Sequence, residues 1–330
     1  MTIMQALFTG GALTLTISAT TTNYNVFTAA GSPTAAATVI VNINSGVSVG
    51  ATAGNTAFTL GQFPTGSNIV VNNNGSILAY GGAGGTGGAG SSGGDAINAN
   101  YANQTVIINN QTGAVIRGGG GGGGRGGSGG TGGTGGQGYY TSDAFVGYSA
   151  DLRSDCNVSC QYRFGGSAYC YGGAFACSSS GKPLYQYACT FFQSPAGCYA
   201  TSYIYTSGGA GGAGGAGGAG GRGQGYDGAN ASGSVGAGGS GGAAGGTNAG
   251  TGGTGGTGGT GGAGALYGAA GSTGNTGATG NTGASGNYTG GSAGSGGAAG
   301  SAGGASGRYL VKGANSVTLN NSGTVSGGLA

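Results

Sequence analysis

Glycine recurs in this chain with a period of three, in blocks almost free of proline, and that spacing narrows the available folds more than any other feature. Residues 208–221 read GGAGGAGGAGGAGG and residues 250–262 read GTGGTGGTGGTGG. Residues 271–286 read GSTGNTGATGNTGASG, with one glycine in three instead of two. Three residues per turn is the repeat of the left-handed polyproline-II helix, which rises about 3.1 Å per residue. Glycine would adopt it here, because Pro33, Pro64, Pro183 and Pro195 all lie outside the tracts, and so few prolines also argue against a collagen triple helix.

Glycine-rich tracts are also the mark of flexible linkers. Ordering the 93 glycines at about 1–2 kcal/mol each requires compensation on the order of 100 kcal/mol. A lattice of polyglycine helices supplies it. Without Cβ atoms neighbouring backbones approach closely, and the N–H and C=O groups left free within each helix bond between helices. A G-G-X tract has two bare faces and suits the interior or a face of such a lattice. A G-X-X tract has one and suits a border, which places 271–286 there. Seven tracts are predicted, 81–94, 118–138, 207–224, 228–246, 249–263, 269–286 and 289–307, running antiparallel in succession as a two-layer slab.

Composition removes whole classes of chemistry. There is no His, Trp or Glu, and the acidic residues are Asp95, Asp143, Asp151, Asp155 and Asp227. General acid–base catalysis, a Ser–His–Asp triad and His-based metal sites lack their parts, and no paired carboxylates stand at glycosidase spacing. The expectation is a non-enzyme without cofactor or metal. A net charge of +3, dispersed along the chain, gives no nucleic-acid footprint. The run Gly118–Gly124 lacks the Lys-Ser/Thr that would complete a phosphate loop. Residues 1–21 carry no early Lys or Arg, so no secretion signal is expected.

A short motif occurs four times: Val39-Ile-Val-Asn-Ile-Asn-Ser-Gly-Val47, Ile69-Val-Val-Asn-Asn-Asn-Gly-Ser-Ile77, Val106-Ile-Ile-Asn-Asn-Gln-Thr-Gly-Ala-Val115 and Val317-Thr-Leu-Asn-Asn-Ser-Gly-Thr-Val325. Each reads as strand, Asn-rich turn with Gly, strand, the shape of a β-solenoid rung or a hairpin. These copies are expected to form a β platform from which the tracts project, with the last returning to pair with the N-terminal strands.

Segment 139–206 breaks the glycine pattern. It holds 11 of the 18 tyrosines and all six cysteines, Cys156, Cys160, Cys170, Cys177, Cys189 and Cys198. An even, dense cysteine cluster points to disulfides, whose pairing the sequence leaves open among 15 connectivities. Tyrosine offers large contact area and a polar handle at low entropy cost, so the segment reads as a binding surface as well as a local core. The candidate contact residues are Tyr139, Tyr140, Tyr148, Tyr162, Phe164, Tyr169, Tyr171, Tyr185, Tyr187, Phe191, Phe192, Tyr199, Tyr203 and Tyr205. Tyr226, Tyr267 and Tyr288 join them from smaller turns that alternating tracts would bring to the same end.

The glycine tracts with aromatic interruptions, together with Thr21-Thr-Asn-Tyr-Asn-Val-Phe-Thr-Ala-Ala30, resemble the glycine-rich tip adhesins of tailed-phage long tail fibres, the T-even-like distal adhesins. The resemblance covers roughly residues 76–310. It implies a virion protein at the distal tail fibre or tail tip. An N-terminal β domain would attach it to a tail-fibre or tail-tip protein, and its loops would bind an outer-membrane protein or surface polysaccharide of the host. The long Cys-rich insertion departs from that pattern. A polyglycine-II antifreeze protein, with Thr251, Thr254, Thr257 and Thr260 as an ice-binding file, and a structural glycine-rich fibrous protein are the alternatives.

The predicted fold class is mainly non-α: a small N-terminal β domain plus a slab of packed polyglycine-II helices with long loops. The predicted organisation is a β-rich attachment domain over 1–75, the slab over 76–138 and 207–310, the Cys/Tyr-rich insertion over 139–206, and a C-terminal β-hairpin over 311–330 returning to the platform.

Overall fold

The computed structural model describes residues 11–148, 185–188 and 197–330, with side chains over 11–141 and 204–330. Among these residues the protein is nearly non-helical, with one helical turn, α1 (Val26–Ala29). Most of its strands lie in three parallel five-stranded sheets that wind as a solenoid of five rungs. Rung one holds β1 (Leu13–Ile17), β2 (Thr21–Thr22) and β3 (Tyr24–Asn25). Rung two holds β4 (Thr38–Ile43), β5 (Ser48–Gly50) and β6 (Phe58–Thr59). Rung three holds β7 (Ser67–Asn73), β8 (Ser76–Leu78) and β9 (Ile97–Asn98). Rung four opens with β10 (Gln104–Asn110) and β11 (Val115–Arg117). The chain then leaves the solenoid. It forms an antiparallel sheet of β12 (Gly138–Tyr148), β13 (Tyr185–Ala188) and β14 (Gly197–Thr206) and completes rung four at β15 (Arg308–Val311). Rung five holds β16 (Val317–Asn321), β17 (Thr324–Ser326) and β18 (Gly328–Leu329).

The β-branched alternation of the repeated motif explains the first face. Val39, Val41 and Ile43 of β4, Ile69 and Val71 of β7, and Val106 and Ile108 of β10 turn inward and are fully buried, as alternate residues of a strand must be. Register fixes the stack: Val39 pairs with Ile69, Ile69 with Val106, and Val106 with Val317. The asparagines of the four copies then fall in line. Asn72 Nδ2 donates to Asn42 Oδ1 (2.9 Å), Asn109 to Asn72 (2.8 Å) and Asn320 to Asn109 (2.8 Å). A second, inner ladder runs from Asn73 to Asn110 (2.8 Å) and from Asn110 to Asn321 (2.7 Å). Inside the solenoid these amides satisfy one another, which is the condition for burying them.

Two expectations about organisation need correction. Residue 75 is not a boundary: it falls between β7 and β8 of rung three, and the platform continues to Arg117 and resumes at Arg308. The C-terminal copy is not a hairpin. Its strands β16 and β17 do not pair with each other but with β10 and β11, at the far end of the stack from β1. The Asn–Gly turn is a solenoid corner, so each half of the motif finds its partners in the rungs above and below.

All the glycine tracts grow from one corner, between the second and third faces. In rung three that excursion is short, and the predicted tract 81–94 folds back on itself as two arms, with Ser91 N bonded to Ala83 O (2.8 Å). In rung four it spans 118–307. Tract 118–137 lies at the centre, bonded through its backbone to 207–224 (Gly123 N to Gly221 O, 2.7 Å), 249–263 (Gly253 N to Gly133 O, 2.8 Å), 269–286 (Gly130 N to Ala278 O, 2.9 Å) and 289–307 (Ala298 N to Ser128 O, 2.8 Å). The bonds repeat every third residue. Tract 228–246 lies outside, bonded to 207–224 and 249–263. Consecutive tracts alternate in direction, and 269–286 sits at a border, bonded to three tracts.

Near the solenoid the two arms complete the surround of the central tract, through Gly82 N to Gly120 O (2.8 Å) and Gly122 N to Ser91 O (2.9 Å). Here Gly118–Gly124 are all buried. A Cβ on any of them would lie within 2.3 Å of a neighbour's backbone. Where the arms end, one face opens, and side chains appear at every third position: Arg125, Ser128, Thr131, Thr134 and Gln137.

Candidate functional site

Alternation of the tracts defines two ends. The solenoid end carries the turns after 207–224 and 249–263. The far end carries the entry to β12, the exit of β14, and the turns at 246–249 and 286–290.

At the far end Tyr139 of β12 stands directly opposite Tyr205 of β14, so their rings meet across the pair at 6.3 Å. Tyr288, from the 286–290 turn, closes the group. Its ring lies edge-on to Tyr205 at 4.9 Å and to Tyr139 at 6.2 Å between centroids. Tyr288 is 54% exposed and Tyr205 47%. The neighbouring pair, Tyr140 and Ile204, is also exposed.

Asparagines hold these turns together. Tyr139 N donates to Asn287 Oδ1 (2.8 Å) while Asn287 Nδ2 donates to Tyr139 O (2.9 Å), so one side chain bonds the backbone in both directions. Asn248 Nδ2 donates to the same carbonyl (3.0 Å), from a residue at φ +60°, a conformation Asn tolerates better than most side chains. Thr206 Oγ1 donates to Thr247 O (2.6 Å). Four chain segments therefore converge under three aromatic rings.

Tyr226 and Tyr267 do not belong to this group. Their turns lie at the solenoid end, because 207–224 and 249–263 both run back toward it. Tyr226 N donates to Ala79 O (2.8 Å), and its ring occupies the space beside Gly50, where a Cβ would lie 2.1 Å from it. The Tyr267 ring faces the Arg117 guanidinium at 5.6 Å, and burial raises its hydroxyl pKa above the ordinary value. Beside them Asp227 pairs with Arg222 and accepts from Gly81 N (2.9 Å). These tyrosines fasten the tracts to the solenoid.

Of the remaining candidates, Tyr148, Tyr185, Tyr187, Tyr199 and Tyr203 fall on β12, β13 and β14, with Tyr185 opposite Ser202, Tyr187 opposite Ala200 and Tyr203 opposite Thr141. Tyr162, Phe164, Tyr169, Tyr171, Phe191 and Phe192 lie outside the described residues. So do Cys156, Cys160, Cys170, Cys177 and Cys189; Cys198 lies on β14 opposite Gly147. The expected disulfides thus fall outside what the structure describes. Asn248 and Asn287 are not among the residues that the sequence marks as candidates. Their signal was faint: single asparagines at breaks in the glycine repeat.

A stalk of backbone-bonded tracts, rooted in a solenoid and bearing exposed aromatic turns at its far end, is the build of a protein that presents a contact surface. Residues 12–231 match the family described as phage tail fibre adhesin Gp38, and the chain belongs to that family. It is a receptor-binding adhesin of the phage tail. The chain is also similar to the crystal structure of the gp37–gp38 adhesin tip complex of the bacteriophage S16 long tail fibre. The TM-score is 0.38 and the identity 18%, over 97% of this chain and 82% of that one. No curated protein gives a significant match. The threonine file Thr251, Thr254, Thr257 and Thr260 is present, but Thr260 and Thr254 accept hydrogen bonds from Asn275 and Asn281, and the family is one of adhesins, not ice-binding proteins.

Proposed function

We propose that the far-end surface, comprising Tyr139, Tyr140, Ile204, Tyr205 and Tyr288 together with the 139–206 insertion, contacts the receptor on the bacterial surface. The observation that carries this reading is the convergence of separate turns, each pinned by backbone hydrogen bonds, beneath exposed tyrosines at the end farthest from the solenoid. Rigid aromatic side chains on a preorganised base lose little entropy on binding. The tracts act as a slab of polyglycine-II helices. The three-residue repeat of the bonds and the bare faces at each contact support that assignment. The slab is a pedestal that holds the tip away from the fibre. The solenoid, at the end away from the exposed tyrosines, is the part joined to the fibre, and the protein acts by adhesion without catalysis. Weak single contacts summed over several fibres would give tight attachment.

Fluorescently labelled full-length protein, applied to a panel of bacterial strains, tests the proposal. Strain-restricted binding is expected. Deleting 141–204 should abolish it, and Tyr288→Ala should weaken it by about tenfold or more, the scale of an aromatic hot spot. Unchanged binding by the deletion variant, with its fold intact by circular dichroism, would refute the assignment.

A further inference from the structure

At the solenoid corner where the tracts leave, the surface is hollowed into an open cleft of about 440 Å³, at the opposite end of the tracts from the tip turns. Asn55 enters from the corner of rung two, Ser92 from the short arm, Ser306 from the last tract, and Tyr80, Asp95 and Arg308 from the junctions between solenoid and tracts. Tyr80 is half-buried, and its ring rests over bare Gly94, where a Cβ would lie 2.2 Å from it. Asp95 and Arg308 form a forked pair: Arg308 Nε donates to Oδ1 (3.0 Å) and Nη2 to Oδ2 (2.7 Å). Oδ1 also accepts from Arg308 N (2.9 Å), which fixes the carboxylate. Among the described residues Arg308 Nη1 and Asn55 Oδ1 have no hydrogen-bond partner, so one donor and one acceptor remain available.

The chemistry of this wall is selective. Its two charges cancel, so it has no net pull on a phosphate or a cation. It is too polar and too open for a lipid or another apolar ligand. An aromatic ring beside hydroxyls, an amide and a fixed guanidinium–carboxylate fork matches a molecule with C–H faces and adjacent hydroxyl groups, each of which both donates and accepts. We propose that the cleft binds a neutral hexose, either free or at the end of a glycan chain. It is a second contact, independent of the tip.

Saturation-transfer NMR on the full-length protein is the test. The probes are glucose, galactose, rhamnose and N-acetylglucosamine, each with its methyl glycoside, and inorganic phosphate as the charged competitor. At least one neutral sugar should bind saturably, with a dissociation constant on the order of 1 mM for a ligand of about a dozen non-hydrogen atoms. Asn55→Ala, in an exposed turn where loss of fold is not expected, should weaken binding by about fivefold or more, and Tyr80→Leu by more than that, while Tyr80→Phe keeps it. Equal binding of the methyl glycoside identifies a chain end as the ligand, and binding of the free sugar alone identifies a soluble one. Absence of saturable binding by every neutral sugar, binding unchanged in both Asn55→Ala and Tyr80→Leu, or displacement by phosphate would overturn the proposal. The 141–204 deletion should leave this binding intact, so the cleft and the tip can fail separately.

Discussion

The solenoid and the glycine tracts meet the same requirement, satisfying every buried backbone group, by opposite means. The solenoid does it with strands, and fills the space between them with side chains. Phe58, Phe63, Leu60, Ile69, Ile77, Ile97, Ile108 and Ile116 are buried there to 1% exposure or less. The tracts have no such core. Among the described residues, no buried hydrophobic side chain lies between Ile116 and Leu310. What fills the interior is backbone, drawn so close that its hydrogen bonds at 2.7–3.0 Å take the place of packing. At about 1 kcal/mol net per bond, many such bonds must form together. In one region the absence of a side chain would leave a cavity; in the other its presence would force the lattice apart.

The largest effects should come from reversing these roles. Gly256→Val would place a Cβ 2.1 Å from Ala278 O, and should destabilise the tracts by more than about 4 kcal/mol, since backbone on both sides cannot yield. Its neighbour Thr257 faces solvent, so Thr257→Val should change stability by less than about 0.5 kcal/mol. Thermal unfolding of the pair decides this, and similar losses would erase the distinction between inner and outer positions. In the solenoid the harmful change is the loss of a side chain: Ile108→Ala should lower stability by about 2–5 kcal/mol through the cavity it leaves, measured by denaturant unfolding. Hydrogen exchange on that variant should show the solenoid amides losing protection first.

The two asparagine ladders refine the comparison within the solenoid. Asn110 is 1% exposed and bonds both Asn73 and Asn321. Asn110→Ala should destabilise by about 1–3 kcal/mol, because it strands the buried amide of Asn73. Asn109 belongs to the half-buried outer ladder, and Asn109→Ala should cost under about 1 kcal/mol. Equal losses in the two variants would mean that burial does not set the value of the ladder.

The smallest effect concerns pH. Burial raises the hydroxyl pKa values of Tyr24 and Tyr101 in the solenoid and Tyr267 at the root of the tracts above 10.0. The folded state holds these protons more tightly than the unfolded chain. Their contribution is therefore full below about pH 10 and is lost as pH rises through the folded values. The melting temperature should drop as pH rises above about 10, and drop less when all three are replaced by Phe. An identical drop in the Phe variant would assign the effect to other groups.

Much of this was legible in the chain. The period of three and the placing of glycines on one or two faces foretold which tracts have more neighbours: 249–263 bonds to four others and 269–286 to three. The four Asn–Gly motifs foretold stacked repeats, because identical strands in register bring identical residues together. The length of the platform was not legible. Rung four is interrupted by 190 residues between Arg117 and Arg308, and no local signal says that Arg308 continues where Arg117 stopped. The same gap hid the position of Tyr226 and Tyr267, since which end a turn occupies depends on the direction of every tract before it.

The sequence by itself determined the local conformations. Glycine at every third position leaves faces that only another backbone can approach, and alternating β-branched residues with asparagine corners can pair only with copies of themselves. Tertiary structure alone decided which neighbour closes each bare face. Gly118–Gly124 read as an unusually pure run, but its purity has a spatial cause. The two arms from rung three close around the central tract over those residues and reach their tip at Arg125, whose N–H bonds Gly88 O (2.9 Å), so a side chain becomes possible again there.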